Sequence, residues 1–140
     1  MRKKFIGVSC GNSMNPLIRA GDKLFVAETK KIVIGDIVVF FRRKKLISHR
    51  LIRFKKGFIL TKGDNAIFTD GLIRRDEIIG KVVLVQSGKK RLNLESKKAN
   101  IIKYYFLLRS LLLYYAPLVT YKALKRLFFG TKYIKSFLEE

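Results

Sequence analysis

Residues that could together carry out nucleophilic chemistry lie in the first half of this sequence. Ser13 stands in a Ser-Met-x-Pro turn, His49 is the only histidine, and Asp64 and Asp70 follow six residues apart. A serine hydroxyl is a weak nucleophile until a base accepts its proton, and imidazole suits that task near neutral pH. A carboxylate on the second ring nitrogen would fix the tautomer and stabilise the imidazolium, a role open to either acid. The set predicts a Ser-His-Asp catalytic site.

Each of these residues also has an ordinary structural explanation when it is taken alone. Ser13 precedes Asn15-Pro16 and could bond its own backbone in a turn, and His49 lies in an alternating run typical of a surface strand. The pair Asp70-Gly71 is a common hairpin turn. Only the combination, in this order along the chain, favours catalysis.

Several sequence blocks resemble type I signal peptidases of the kind found in the endoplasmic reticulum, archaea and some spore-forming bacteria. The resemblance covers about residues 5–85 and gives Ser13 the role of nucleophile and His49 that of general base, where common bacterial relatives have a lysine. Asp64 and Asp70 match the family's two acids. The blocks that carry the resemblance are GNSMNPLIRAGDKLFV, IGDIVVFF, SHRLI, LTKGDNAIFTD and IIGKVVLV.

The resemblance implies a serine endopeptidase that cleaves signal or leader peptides after small residues, with the substrate added as an extended strand beside the serine turn. Many relatives carry a hydroxyl residue two places before the nucleophile, where this sequence has Gly11. Stabilisation of the oxyanion is therefore expected from backbone N–H groups, first of all that of Ser13. Relatives also have a membrane helix upstream of the serine, so we expect any membrane attachment here to lie in the C-terminal region.

The elements that must position these residues are predicted to be mainly β. Residues 1–88 consist of short β-branched runs cut by glycine turns, which is typical of a small coiled antiparallel sheet or partial barrel, with Gly80 at a bulge. The resemblance implies the same signal-peptidase or LexA-peptidase type of fold. The predicted strands are 5–8, 23–27, 37–41, 46–54, 58–62 and 78–85.

Residues 89–140 are predicted to form a helical C-terminal extension. Glycine is absent between Gly88 and Gly130, Leu, Tyr and Lys dominate, and Pro117 and Gly130 are expected to interrupt the helix. Residues 104–121 form a largely apolar run with one charge, Arg109, near its middle, which favours an in-plane helix at an anionic membrane over a span. The alternative is a helix packed on the β domain. If it covers no apolar face of the sheet, the β part should cut peptides without it.

Composition narrows the function classes and the partners. Cys10 is the only cysteine, so an intramolecular disulfide is excluded, and a single histidine offers no cluster for zinc. We therefore expect no metal and no cofactor, with a peptide or preprotein as substrate. The 31 Lys and Arg residues against 10 acids give a net charge of +21, which favours an anionic membrane surface as a further partner.

Two alternative functions remain open from the sequence. One is a maturation peptidase for a single peptide substrate, acting from the cytosolic side. The other is a nucleic-acid-binding regulator like the LexA-type repressors, which share a Ser-Met turn and the β core. Those repressors use a lysine base and cut a linker upstream of their own domain, so His49 argues against nucleic acid as the partner.

Overall fold

The computed structural model describes residues 3–29 and 31–115, without the side chains of residues 3, 5, 6 and 115. Eight antiparallel strands form one open sheet, and a single α-helix follows them in the described part of the chain. The elements are β1 (Lys3–Val8), β2 (Lys23–Ala27), β3 (Ile37–Arg42), β4 (Lys45–Lys55), β5 (Phe58–Lys62), β6 (Thr69–Arg74), β7 (Ile78–Ser87), β8 (Lys90–Asn93) and α1 (Lys97–Tyr115).

The strand order is β1-β2-β7-β3-β4-β5-β6, with β8 paired to β7 beyond the end of β3. Strands β3 to β6 form a meander, in which each strand pairs with the next one along the chain. The meander places β4, β5 and β6 side by side. The mainly β prediction is confirmed, and the sheet does not close into a barrel. Val39 pairs with Gly80 and Phe40 pairs with Ile78, so the register between β3 and β7 shifts by one residue next to Gly80. This is the bulge predicted at Gly80.

Two strands were missed by the sequence interpretation. β6 contains Asp70 and Gly71, so the prediction of a hairpin turn there is wrong. Gly71 has a φ of 79° within the strand, and Leu60 pairs with Leu72 but Lys62 with Thr69, which places an irregularity at this position. A glycine that provides positive φ inside a strand looks like a turn in the sequence. The other missed strand, β8, occupies residues 90–93 within the segment expected to be helical.

Two groups of buried apolar side chains hold the sheet together. One lies around β3 to β7 and comprises Ile32, Val38, Phe40, Leu51, Ile59, Ile73 and Ile78. The larger one joins the serine turn, the sheet and α1, and comprises Met14, Leu17, Ile18, Leu24, Val26, Ile37, Val39, Val82, Val85, Ile102 and Phe106. The second group links the turn that carries Ser13 to the helix at the end of the described chain.

α1 packs on an apolar face of the sheet. Ser96 begins the helix as its N-cap, because its Oγ accepts a hydrogen bond from Ala99 N at 3.1 Å. Ile102 and Phe106 are 6% and 1% exposed because they pack against the core. The tail therefore covers an apolar face of the sheet, and the β part is not expected to keep its activity without it. Within residues 3–29 and 31–115, no helix is both long and apolar enough to cross a membrane. The interruptions predicted at Pro117 and Gly130 lie outside the described residues.

Candidate active site

Ser13 lies in the compact turn that joins β1 to β2. Met14 directly after it is 3% exposed in the core, and Ile18 N donates to Met14 O at 3.0 Å. Across the base of the turn, Gly21 N donates to Ser9 O at 2.7 Å. The turn is therefore anchored by a buried apolar side chain and closed by backbone hydrogen bonds, while Ser13 itself stays partly accessible.

His49 connects Ser13 to Asp70. It lies on β4 opposite Val38 of β3, and its Nε2 is 2.9 Å from Ser13 Oγ. Its Nδ1 is 2.7 Å from Asp70 Oδ2. With the ring proton on Nδ1, His49 donates to Asp70 and accepts from the Ser13 hydroxyl, which is the tautomer that a general base requires. The arrangement can move a proton from Ser13 to His49.

Asp70 reaches His49 from β6, two strands away, across β5. Thr61 on β5 donates its hydroxyl to the same Asp70 Oδ2 at 2.7 Å, and Arg42 at the end of β3 bonds the Asp70 backbone carbonyl. Arg42 Nη1 also lies 3.8 Å from Asp70 Oδ1. These contacts fix the orientation of the carboxylate. Thr61 and Arg42 were missed from the sequence, since neither is adjacent to a candidate residue along the chain.

Asp64 is bonded to Arg50 and not to His49, although the sequence left the role of orienting acid open to either Asp64 or Asp70. The side chain is fully buried, and its two oxygens accept from Arg50 Nε and Nη2 at 2.7 and 2.6 Å. Ser110 Oγ of α1 donates to Asp64 Oδ1 at 3.2 Å, and Arg109 Nη1 donates to the Asp64 carbonyl at 2.9 Å. Of the two candidate acids, the structure brings only Asp70 to His49.

Lys62, on β5, is a buried cation close enough to both acids to feel their charge, and the sequence interpretation did not single it out. Its side chain is fully buried, and its Nζ donates to Gly63 O at 3.3 Å. Burial lowers the pKa of Lys62 from 10.5 to about 8, Arg109 lowers it further, and the nearby Asp64 and Asp70 oppose the shift. Because its pKa is lowered in the folded protein, Lys62 makes the stability of this region depend on pH.

A cavity of about 330 Å³ opens beside Ser13 and His49. Its walls are mainly apolar, and besides His49 the only titratable side chains among them are Lys45 and the exposed Cys10. Gly11 also lines it, and a Cβ added at Gly11 would meet no atom within 4 Å. The apolar lining consists of Val8, Met14, Leu24, Val26, Val39, Leu46 and Ile47.

Comparison with known families identifies the family of the chain. The family model described as Peptidase S24-like matches residues 3–83, which is more than half of the chain and includes Ser13, His49, Asp64 and Asp70. The chain therefore belongs to the Peptidase S24-like family. No curated protein matches it significantly.

Proposed function

We propose that this member of the Peptidase S24-like family is a serine endopeptidase in which Ser13 is the nucleophile, His49 the general base and Asp70 the orienting acid. The observation that carries the proposal is the continuous chain of hydrogen bonds from Ser13 Oγ through both ring nitrogens of His49 to Asp70 Oδ2. Both distances lie within the range needed for proton transfer. Asp64 is assigned a structural role instead.

In this mechanism Ser13 Oγ attacks the carbonyl carbon of the scissile peptide as its proton passes to His49 Nε2. Asp70 stabilises the imidazolium, and the backbone N–H of Ser13 is the first candidate to stabilise the oxyanion. His49 then returns the proton to the leaving amine, which gives an acyl-enzyme. Attack by a water molecule, activated by the same imidazole, releases the acid product and restores Ser13.

The proposed substrate is a signal or leader peptide that is cleaved after a small residue, as the signal-peptidase-like sequence blocks imply. The mainly apolar cavity beside Ser13 supports a substrate with apolar or small side chains near the bond. Lys45 places a positive charge in the wall of this cavity. A basic side chain in this position would be repelled, so the proposal favours neutral or acidic residues there.

We also propose that the outer side of α1 contacts an anionic membrane. Ile101, Tyr104 and Leu108 are each about 60% exposed, at 64%, 63% and 59%, and Leu112 continues the same stripe. The exposed Lys97 and Lys98 stand at the start of the helix. An apolar stripe flanked by cations in a chain of net charge +21 suits the interface of an anionic bilayer.

Flotation with anionic and neutral phospholipid vesicles tests the membrane proposal. The double variant Ile101→Gln/Leu108→Gln should lose binding to the anionic vesicles. Phe68→Gln is the matched control, because Phe68 is 75% exposed but lies between β5 and β6. Equal binding of the wild type, the double variant and Phe68→Gln to the anionic vesicles would exclude this surface as the membrane contact. Self-association of the wild type through the exposed apolar stripe of α1, without binding to lipid, would exclude it as well.

The rival regulator function is distinguished by the base that contacts the nucleophile. LexA-type repressors use a lysine, whereas here Ser13 Oγ contacts His49 and the buried Lys62 Nζ bonds the Gly63 carbonyl. This arrangement favours the histidine-dependent peptidase. Salt-dependent DNA binding by the full chain without peptide cleavage would favour the regulator.

The test of the proposed function is digestion of a pool of synthetic peptides, followed by mass spectrometry. The pool contains peptides with an apolar segment followed by Ala-X-Ala and sequence-scrambled versions of the same peptides. The wild type should cleave the first set after the second alanine, and Ser13→Ala should cleave neither set while keeping the wild-type melting temperature. Cleavage by Ser13→Ala at the wild-type rate would overturn the proposal.

A further inference from the structure

Arg109 is a buried cation in the apolar part of α1, and its burial calls for an explanation because a buried charge is costly. It is 2% exposed, and its guanidinium lies 5.9 Å from the centre of the Phe106 ring. Its Nη1 donates at 2.9 Å to the backbone carbonyl of Asp64, a residue 45 positions earlier in the chain. Burial of a guanidinium is costly, so this hydrogen bond fixes α1 at one place on the sheet.

The segment that Arg109 holds is also held through the Asp64 side chain. Ser110 Oγ donates to Asp64 Oδ1 at 3.2 Å, and Arg50 takes both carboxylate oxygens. α1 therefore contacts the main chain and the side chain of the same buried residue. Backbone and carboxylate together leave Asp64 little freedom to shift.

The residues on either side of Asp64 contact the nucleophile. Asn65 N donates to Ser13 O at 2.7 Å, and Asn65 Nδ2 donates to Asn12 O at 3.2 Å. On the other side, a Cβ built on Gly63 would lie 2.7 Å from Ser13 O, so the backbone there passes directly against the serine. A shift of residues 63–65 would move Ser13.

We infer that Arg109 is a positioning residue for the nucleophile, acting through the Asp64 carbonyl and the Asn65 hydrogen bond to Ser13. This inference rests on the proposed function of Ser13. Ser13 Oγ must stay within hydrogen-bond reach of His49 Nε2, and a displacement of about 1 Å at a reacting group can cost about 100-fold in rate. Loss of the Arg109 contact should therefore lower kcat by about 10- to 100-fold and change KM little, because the apolar side chains of the cavity wall on β2, β3 and β4 are not on this path.

Arg109→Met tests the inference, since methionine keeps an apolar body and removes every donor. Lys103→Met is the matched control on the same helix, because Lys103 Nζ pairs with Asp36 Oδ1 at 2.6 Å instead of with the segment 63–65. Both variants remove a cation that anchors α1. Arg109→Met should have a lower kcat, Lys103→Met should retain the wild-type kcat, and Arg109→Lys, which keeps a cationic donor, should recover part of the loss.

A spectroscopic measurement separates this inference from the proposed function. His49 is the only histidine, so its ring nitrogen signals in a histidine-labelled sample report the Ser13 hydrogen bond directly. The Nε2 signal should shift in Arg109→Met and stay unchanged in Lys103→Met. If the wild type cuts no peptide but this shift occurs, the positioning stands and the peptidase proposal fails.

Equal kcat values in the two methionine variants, together with an unchanged Nε2 signal, would overturn the inference. If Arg109→Met does not fold, Ser110→Ala provides the decision, because it removes only the 3.2 Å contact to Asp64 Oδ1. Ser110→Ala should then shift the Nε2 signal in the same direction by a smaller amount. An unchanged signal in that variant would again contradict the inference.

Discussion

The site has two layers with different properties, although each contains one of the two acids that stand six residues apart. In the outer layer Asp70 accepts from Thr61 and from His49, and His49 lines the cavity. In the buried layer Asp64 is paired with Arg50 and covered by α1. An acid that faces a neutral imidazole can stabilise a charge formed during a reaction, whereas an acid already paired with a permanent cation stabilises the fold. The neighbours of each carboxylate determine its role.

Replacing each acid by asparagine should separate the layers by the largest margin. Asp70→Asn should lower kcat by about 10³- to 10⁴-fold with a small change in stability, because the wrong tautomer of His49 becomes favoured. Asp64→Asn should cost about 3–5 kcal/mol in the free energy of unfolding, since Arg50 would remain buried without its carboxylate. Urea unfolding measures the free energy of unfolding of each variant, and peptide cleavage by the folded fraction measures its kcat. Equal losses of rate and stability at the two positions would reject the distinction.

Removing α1 should uncover the buried layer. A chain ending near Leu94 loses Ile102 and Phe106 from the core, each contributing about 1.5–3 kcal/mol by burial, and exposes Asp64. We expect this chain to lose its cooperative thermal transition and its activity. A truncated chain with the wild-type transition and rate would mean that the tail and the β part are separable, as the sequence suggested for a tail that covers nothing.

The sequence predicted the outer layer better than the buried one, for physical reasons. Ser13 and His49 were proposed from the sequence because Ser13 stands in a distinctive turn and His49 is the only histidine, and the structure places them in contact. The choice between Asp64 and Asp70 could not be made, since it depends on which strand neighbours which, and β6 was hidden by the turn-like Asp70-Gly71 pair. Arg109 appeared as a charge that weakens a membrane segment, because its partner, the Asp64 carbonyl, is distant along the chain.

Lys62 should make the buried layer pH-dependent. Its pKa is lowered to about 8 in the folded state from 10.5, so the unfolded chain binds more protons between these values. Stability therefore rises as the pH increases from about 8 to about 10.5, with this group contributing about 3 kcal/mol over the window. Lys62→Met should flatten the rise. Parallel curves of unfolding free energy against pH for the two proteins would contradict the assigned pKa shift.

Lys45 in the outer layer should affect substrate choice and leave stability unchanged. Lys45→Glu should raise kcat/KM for peptides with lysine near the cleaved bond and lower it for those with aspartate, by about 3- to 10-fold, because an exposed charge is well screened. Lys44→Glu is the control, since it carries the same charge change but does not line the cavity. The same preference change in both variants would show a general field effect instead of a contact.

The central claim, that Ser13 forms the acyl bond, can be tested by trapping the acyl-enzyme. A peptide ester of the cleaved sequence is mixed with the protein, and the reaction is quenched in acid. Peptide mapping then identifies the acylated residue. Cys10 is the natural rival, because its exposed thiol lines the same cavity. We predict the acyl group on Ser13 in the wild type and in Cys10→Ala, and no adduct in Ser13→Ala. An adduct on Cys10 that persists in Ser13→Ala and supports turnover would contradict the account.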